Sequence, residues 1–436
     1  MKLGYGVMSI IACGFLALGA QPLTLSNAYD LALKNEPHLR SLSLRMEATK
    51  ETVTQSKAKL YPQVQGSLSW GSYGYDADYL RSPVNENYKS YSLSASQPIF
   101  HPELWRGIDS SKSRQKAATY EFQSEAQKLG LDVAKAYFNL LRTKRNVEML
   151  TSQSEYYLAK YKEQEEKLKF GLTNRIDLLE AKVHSDKALS ELLAEQKRSK
   201  VAALRLEHYI KEPVGDLPDF DFSMVDPGKL FRDGMEWESK LGNNPTLQAS
   251  MASEESATHE VAVRKYQHYP KVDLSLARKE TYTQDSVAHK YDNQAIVQMS
   301  IPIFEGGYTQ SRVREGKMLL EAAQNDVEYN RLDTKQRFEE LWAESQLNVE
   351  TLQVMKESEK SAKLYLDSME QANKAGLKSL LDVLEAKAKL YEVKRDTIDA
   401  GYELVNNYLS ILDVTGELNS ENIAFLENMA ISKGEQ

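Results

Sequence analysis

The chain has 436 residues, a net charge of −8 and one cysteine, so it lacks a basic footprint for nucleic acid, an intrachain disulfide and a cysteine-rich metal site. Glycine (21) and proline (12) are scarce while tyrosine (24) is abundant, a balance that favours long uninterrupted helices. Aromatic and aliphatic side chains run along the whole length, which excludes a disordered tether.

Lys2 precedes an apolar run from Val7 to Ala20 that ends in small residues. A positive start, a short apolar stretch and a small-residue exit predict a secretory signal peptide over residues 1–20. Cys13, preceded by Ile11 and Ala12, leaves lipidation as the alternative for this end. No later stretch reads as a transmembrane helix. A membrane part would therefore be a closed barrel or an adsorbed surface, because lipid does not tolerate unpaired backbone.

Beyond residue 20 the chain repeats itself. Asn35, Pro37, Leu39, Tyr61 and Pro62 recur as Asn243, Pro245, Leu247, Tyr269 and Pro270. Pro98-Ile99-Phe100 recurs as Pro302-Ile303-Phe304, and GLTNRIDLLEAK (Gly171 to Lys182) as GLKSLLDVLEAK (Gly376 to Lys387). Blocks in one order, each about 205 residues apart, predict two copies of one unit. The copies span 21–212 and 243–415, with a linker at 213–242 and a tail at 416–436 that both read as connectors.

Each copy opens with a helix that stops at a Tyr-Pro pair, since proline disfavours helix in the residue before it (Leu39 to Leu60; Leu247 to His268). Period-two patterns follow. Val64, Gly66, Leu68 and Trp70 alternate with Gln63, Gln65, Ser67 and Ser69, and Ser90 to Ser96 alternates in the same way. Val272, Leu274 and Leu276 alternate too, as do Val297, Met299 and Ile301. One hairpin per copy is expected, with strands of about ten residues inside 63–100 and 271–303. Loops rich in Asp, Asn and Ser, near 76–87 and 285–292, separate the strands.

A proline-free stretch then runs from 105 to 170, and another from 308 to 375 in which Gly316 is the one glycine before the turn. Each predicts a helix of about 100 Å. Return helices are expected at 174–211 and 379–414. The second places Leu381, Leu384, Ala388, Tyr391, Ile398, Tyr402, Val405, Leu409 and Leu412 on a coiled-coil seam broken by Arg395.

Four strands cannot enclose water, but two chains would supply eight and three would supply twelve. Trp70, Tyr73, Tyr75, Tyr79, Tyr88, Tyr282 and Tyr291 lie near strand ends, the placement of an interfacial aromatic girdle.

These features together resemble the TolC-like outer membrane efflux protein family, the outer-membrane channels of type I secretion and multidrug efflux. The resemblance spans essentially the whole mature length. It rests on the duplication, on Asn35-Glu36-Pro37 and Tyr61-Pro62, on Gln97-Pro98-Ile99-Phe100 before Leu104-Trp105-Arg106, on Ile301 to Gly307, and on Gly376 to Ala386. It implies a mainly α protein with a membrane β-barrel part, a homotrimer whose four strands per chain make a 12-stranded barrel in the outer membrane. That barrel would continue into a trimeric α-barrel of long antiparallel coiled-coil helices across the periplasm, with the linker and tail as a belt around its middle. The implied activity is passive: an exit duct for drugs or secreted polypeptides, set in outer-membrane lipid. A periplasmic adaptor protein and an inner-membrane pump of the ABC or RND type would feed it.

At the far end of the hairpins, Asn174 and Ser379 each stand three residues before an aspartate, Asp177 and Asp382, the spacing of a helix N-cap with an acid in the first turn. The resemblance adds a pore constriction lined by Asp382 and Glu385, with Lys378 as the basic residue that helps hold it shut and Asp177 as the first-copy counterpart. Glu385 departs from the family's second aspartate, and Asn373 from its tyrosine. Crowded carboxylates there would select cations.

Nothing in the sequence calls for an enzyme, a cofactor or a bound metal. The seven histidines show no H-x-H or HExxH spacing and read as surface residues, Gly316-Lys317 lacks the upstream glycine of a phosphate loop, and no G-x-S-x-G elbow occurs. The competing class, a secreted or periplasmic coiled-coil structural or adaptor protein, would have no use for two strand-loop-strand units.

Overall fold

The computed structural model describes residues 22–75, 84–222, 225–231, 234–283 and 290–430. The expected signal segment with Cys13, Tyr79, the side chains of Tyr73 and Tyr75, and most of both strand-connecting loops lie outside the described residues.

The first half runs α1 (Leu25–Asn35), α2 (Pro37–Ala58), β1 (Gln63–Tyr75), β2 (Val84–Phe100), α3 (Pro102–Lys169) and α4 (Arg175–Ile210). Two short helices, α5 (Pro227–Leu230) and α6 (Gly234–Ser239), lead into α7 (Pro245–Tyr266), β3 (Lys271–Thr283), β4 (Lys290–Ser300), α8 (Tyr308–Lys374), α9 (Leu380–Val414) and α10 (Ser420–Ala430). Proline opens α2, α3 and α7, where its fixed φ suits a first turn whose N–H has no helical partner. At 68 and 67 residues, α3 and α8 are each about 100 Å long. Gly171 (φ 69°) and Gly376 (φ 71°) end them in the left-handed region. The next N–H groups, of Leu172 and Leu377, each donate back at 2.9 Å to Lys167 O and Ala372 O, closing the turn.

The strands are longer than the alternation suggested: 13, 17, 13 and 11 residues. β2 passes through Pro98 because the ladder to β3 shifts register between Pro98 and Phe100, which accommodates the missing proline donor. The sheet is antiparallel throughout, in the order β1-β2-β3-β4. Leu68, Tyr91, Glu280 and Tyr291 share one row, and Val64, Ala95, Leu276 and Ala295 another, on one face. Rows such as Gln65, Ser94, Ala277 and Gln294 make the opposite face polar.

The helices form one layer. Next to the sheet, α2, α3, α7 and α8 lie side by side; farther away the order is α4, α3, α9, α8. Here the expected seam on α9 needs correction. Val383, Ala386, Leu390 and Val393 meet Ala362 and Leu366 of α8, so the seam inside the hairpin is offset from the anticipated one. Leu384 instead packs on Tyr157 and Ala188, and Ile398 and Tyr402 lie against the core built on α3. α9 thus carries two adjoining apolar seams because it has a helix on each side, whereas a two-stranded coil needs one.

The main core lies midway along the layer, around Val133, Tyr137, Phe138 and Leu140 of α3. The presumed connectors belong to it: Phe220, Phe222, Val225 and Leu230 are buried there, as are Leu418, Ile423 and Leu426 from the tail. The linker's apolar residues keep no sustained period, and in the tail Ile423 and Leu426 make a single helical repeat too short to stand out, so the sequence shows both as connectors although their burial is that of core.

Candidate functional site: the helical turns and the contact between hairpins

Ser379 and Asp382 form a reciprocal capping box at the start of α9. The Asp382 N–H donates to Ser379 Oγ at 3.1 Å, while Asp382 Oδ2 accepts from the Ser379 N–H and hydroxyl, both at 2.8 Å. Lys378 Nζ lies 3.3 Å from Asp382 Oδ1, and the Asn373 side chain donates to the Lys378 carbonyl at 2.8 Å. Hydrogen bonds from the Ser379 hydroxyl, then from its backbone N–H, and then from Lys378 hold the Asp382 carboxyl below its ordinary range. On the other hairpin, the Asp177 N–H donates to Asn174 Oδ1 at 2.9 Å and Thr173 donates to Asp177 Oδ2 at 3.2 Å.

Of the expected site residues, Lys378 and Asp382 are therefore brought together within one chain. Asp177 belongs to a separate cap, and Glu385 faces a cleft one turn higher. That cleft, 330 Å³ between α3, α4 and α9, is lined by Gln153, Tyr157, His184, Glu191, Glu385 and Tyr391 among others.

The sequence did not single out this contact between the two hairpins. The Tyr157 hydroxyl donates to the Leu384 carbonyl at 3.0 Å, and the Tyr157 ring stacks on His184 with centroids 5.4 Å apart. Lys387 Nζ stands 4.9 Å above the Tyr156 ring and 5.5 Å above Tyr391. Burial pushes the Tyr157 phenol above its ordinary value and Tyr156 up to about 12, so both stay protonated donors at neutral pH. His184 is shifted down, first by burial and then by Lys187, against the pull of Glu385 and Glu180. Higher up, Arg142 ties α3 to Asp399 of α9 at 2.9 Å and covers the Tyr402 ring at 4.9 Å. The one available signal was the adjacent pair Tyr156-Tyr157 on a polar stretch of α3; their partners on α9, Leu384 and Lys387, lie more than two hundred residues away.

Two histidines depart from the surface reading. His184 is part of this contact. His101 bridges Asp273 at 2.9 Å and Glu103 at 3.4 Å where the sheet meets α3, and Lys271 reaches the same Glu103 oxygen at 2.9 Å. Among the described residues, no three His, Cys, Asp or Glu side chains gather to hold a metal, and no helix is long and apolar enough to cross a membrane.

The sheet has the two-faced character a membrane demands. Trp70, Val297, Met299 and Tyr291 on its apolar face stand 63–75% exposed in the single chain. Tyr91 and Tyr282 meet edge to face at 5.8 Å in the outer rows of that face, where Arg278 and Glu280 neutralise each other at 2.6 Å. A sheet with one polar and one apolar face, continuous with a hundred-ångström helical layer, is the fold of solved outer-membrane channels. It superposes on the crystal structure of the outer membrane protein VceC of Vibrio cholerae with a TM-score of 0.78 at 17% identity, covering 90% of this chain and 96% of that one. The family model for outer membrane efflux protein matches residues 28–210 and 238–417, and the chain belongs to that family. It is 23% identical to outer membrane protein TolC of Vibrio cholerae over 423 residues, 94% of this chain and 95% of the relative. To the alkaline protease secretion protein AprF of Pseudomonas aeruginosa it is 22% identical over 418 residues, 92% and 86% of the two chains.

Proposed function

We propose that three copies of this chain close edge to edge into one ring, the outer-membrane exit duct of an efflux or secretion system. The observation that carries the reading is the alignment of open edges. Among the described residues β1 and β4 each pair on one side only. On the β1 side the helical layer ends in α2 and α4, and on the β4 side it ends in α8. Both helical flanks are apolar and uncovered in the single chain: Ile176, Val183 and Leu193 on α4, Leu347, Val354 and Leu364 on α8, all 57–68% exposed. A duplicated unit presenting complementary flanks closes by rotation, and three chains give twelve strands, enough for a water-filled lumen.

In that ring the Gln and Ser rows face the lumen and the Val, Leu and Tyr rows face lipid. From Val272 to Tyr282 the apolar face rises about 26 Å at a strand tilt of about 40°, the height of an outer-membrane band. The hairpin turns converge at the periplasmic end, where Asp382 and Glu385, with Asp177 on the neighbouring hairpins, narrow the passage and Lys378 steadies the closed form. Transport is passive, and a periplasmic adaptor and an inner-membrane pump supply cargo and energy. The name of the protease secretion relative favours secreted polypeptides as that cargo, with drugs the alternative. Reconstitution into planar lipid membranes tests the proposal: discrete cation-selective conductance from a heat-modifiable outer-membrane oligomer supports it, and electrically silent protein overturns it.

A further inference from the structure

We propose that the α3–α4 and α8–α9 hairpins are joined by an acid-sensitive contact centred on His184, so that protonating its imidazole loosens the tie next to the tip. The inference rests on the reading of the tip as a closable end, but it concerns a contact inside one chain. His184 lies on α4 beneath the Tyr157 ring, and Tyr157 in turn grips the α9 backbone at Leu384. His184 also lines the cleft that α9 closes, so parting the hairpins opens that side of the imidazole to water while its stack on Tyr157, within the α3–α4 hairpin, stays.

Every element packed around it contributes charge. α3 brings Tyr156 and Tyr157, which burial keeps neutral. α4 brings Glu180, Lys187 and Glu191, and α9 brings Glu385, Lys387, Lys389, Tyr391, Glu392 and Arg395. Imidazole is the side chain among these whose ordinary titration falls between about pH 5 and 8. Charging it in the cleft costs hydration and sets it against Lys187; Glu385 and Glu180 attract it, but with less effect than burial. The packed form thus holds its proton more weakly than the parted form, whose value lies nearer the ordinary 6.5. The contact is at full strength above that pH and weakens as pH falls through it, by at most about tenfold per pH unit, the ceiling for one proton.

The test uses the full chain with Cys13→Ser and spin labels at Lys182→Cys on α4 and Lys374→Cys on α8, both exposed, diluted with unlabelled chain. Distances from pulsed electron resonance at about pH 7.5 and about pH 5.5 read the hairpin separation. The parted population should grow several-fold in acid, His184→Gln should abolish that response, and Glu385→Gln should enlarge it. Tyr157→Phe should raise the parted population at both pH values, which keeps the proposal testable if His184→Gln folds poorly. An acid response that survives His184→Gln, or its absence in the parent, overturns the proposal. Because the distance lies within one chain, neither outcome depends on conductance or on the number of chains in the ring.

Discussion

Gly401 of α9 lies directly against the backbone of Phe222: a Cβ at 401 would stand 2.6 Å from the Phe222 carbonyl oxygen. The segment between the halves of the chain is therefore clasped onto the helical layer, with Phe220 and Phe222 buried on Phe138 at ring distances of 5.0 and 6.2 Å. Gly401→Ala should destabilise the protein by ~1–3 kcal/mol, because the collision is with backbone and outweighs alanine's better helix propensity. Urea or thermal unfolding reads the loss; an unchanged midpoint would show that the clasp yields freely.

A second clasp joins the two ends of the described chain. The buried Glu427 carboxylate accepts from the Leu25 N–H at 3.0 Å and from the Ser26 hydroxyl at 3.2 Å, at the start of α1. Nearby, the Tyr137 hydroxyl donates to the Leu23 carbonyl at 2.9 Å. Glu427→Ala should cost ~2 kcal/mol and Tyr137→Phe ~1 kcal/mol, as expected for a charged and a neutral hydrogen bond. Hydrogen exchange should localise both losses to α1 and α10. Loss of protection spread evenly over the chain would contradict the assignment.

How much of this was legible in the sequence depends on the range of the interaction. The long helices follow from missing proline and glycine, the strands from alternation, and the caps of α4 and α9 from Asn174 and Ser379, all local signals. Gly401–Phe222, Leu25–Glu427 and Tyr157–Leu384 join residues far apart in the chain, and no period announces them. The offset seam on α9 escaped for a related reason. Two helical neighbours superimpose two apolar stripes, and a single seam drawn through them follows one stripe and misses the other.

The capping box at Asp382 predicts a local pH dependence with a definite sign. Its carboxyl is held below the ordinary 3.8 by Ser379 and Lys378, so the stabilisation is intact above that pH and fades as pH falls through the lowered value. In Asp382→Asn the first turn of α9 should exchange amide hydrogens faster at neutral pH, while α4 is unaffected. Equal exchange in parent and variant would mean that the box does not hold the turn.

Charge at the tip should also govern permeation. Asp382→Asn with Glu385→Gln removes two carboxylates per chain from the proposed constriction, so cation selectivity should fall and block by multivalent cations should weaken about tenfold. Single-channel recordings measure both, and an unchanged permeability ratio would place these side chains outside the ion path.

Ring closure is the central claim, and the mass of the detergent-solubilised particle tests it most directly. Light scattering corrected for bound detergent should give a protein mass of three chains, with no appreciable single-chain species at micromolar concentration. A stable particle of one chain, 49.5 kDa for the full sequence, would contradict the account.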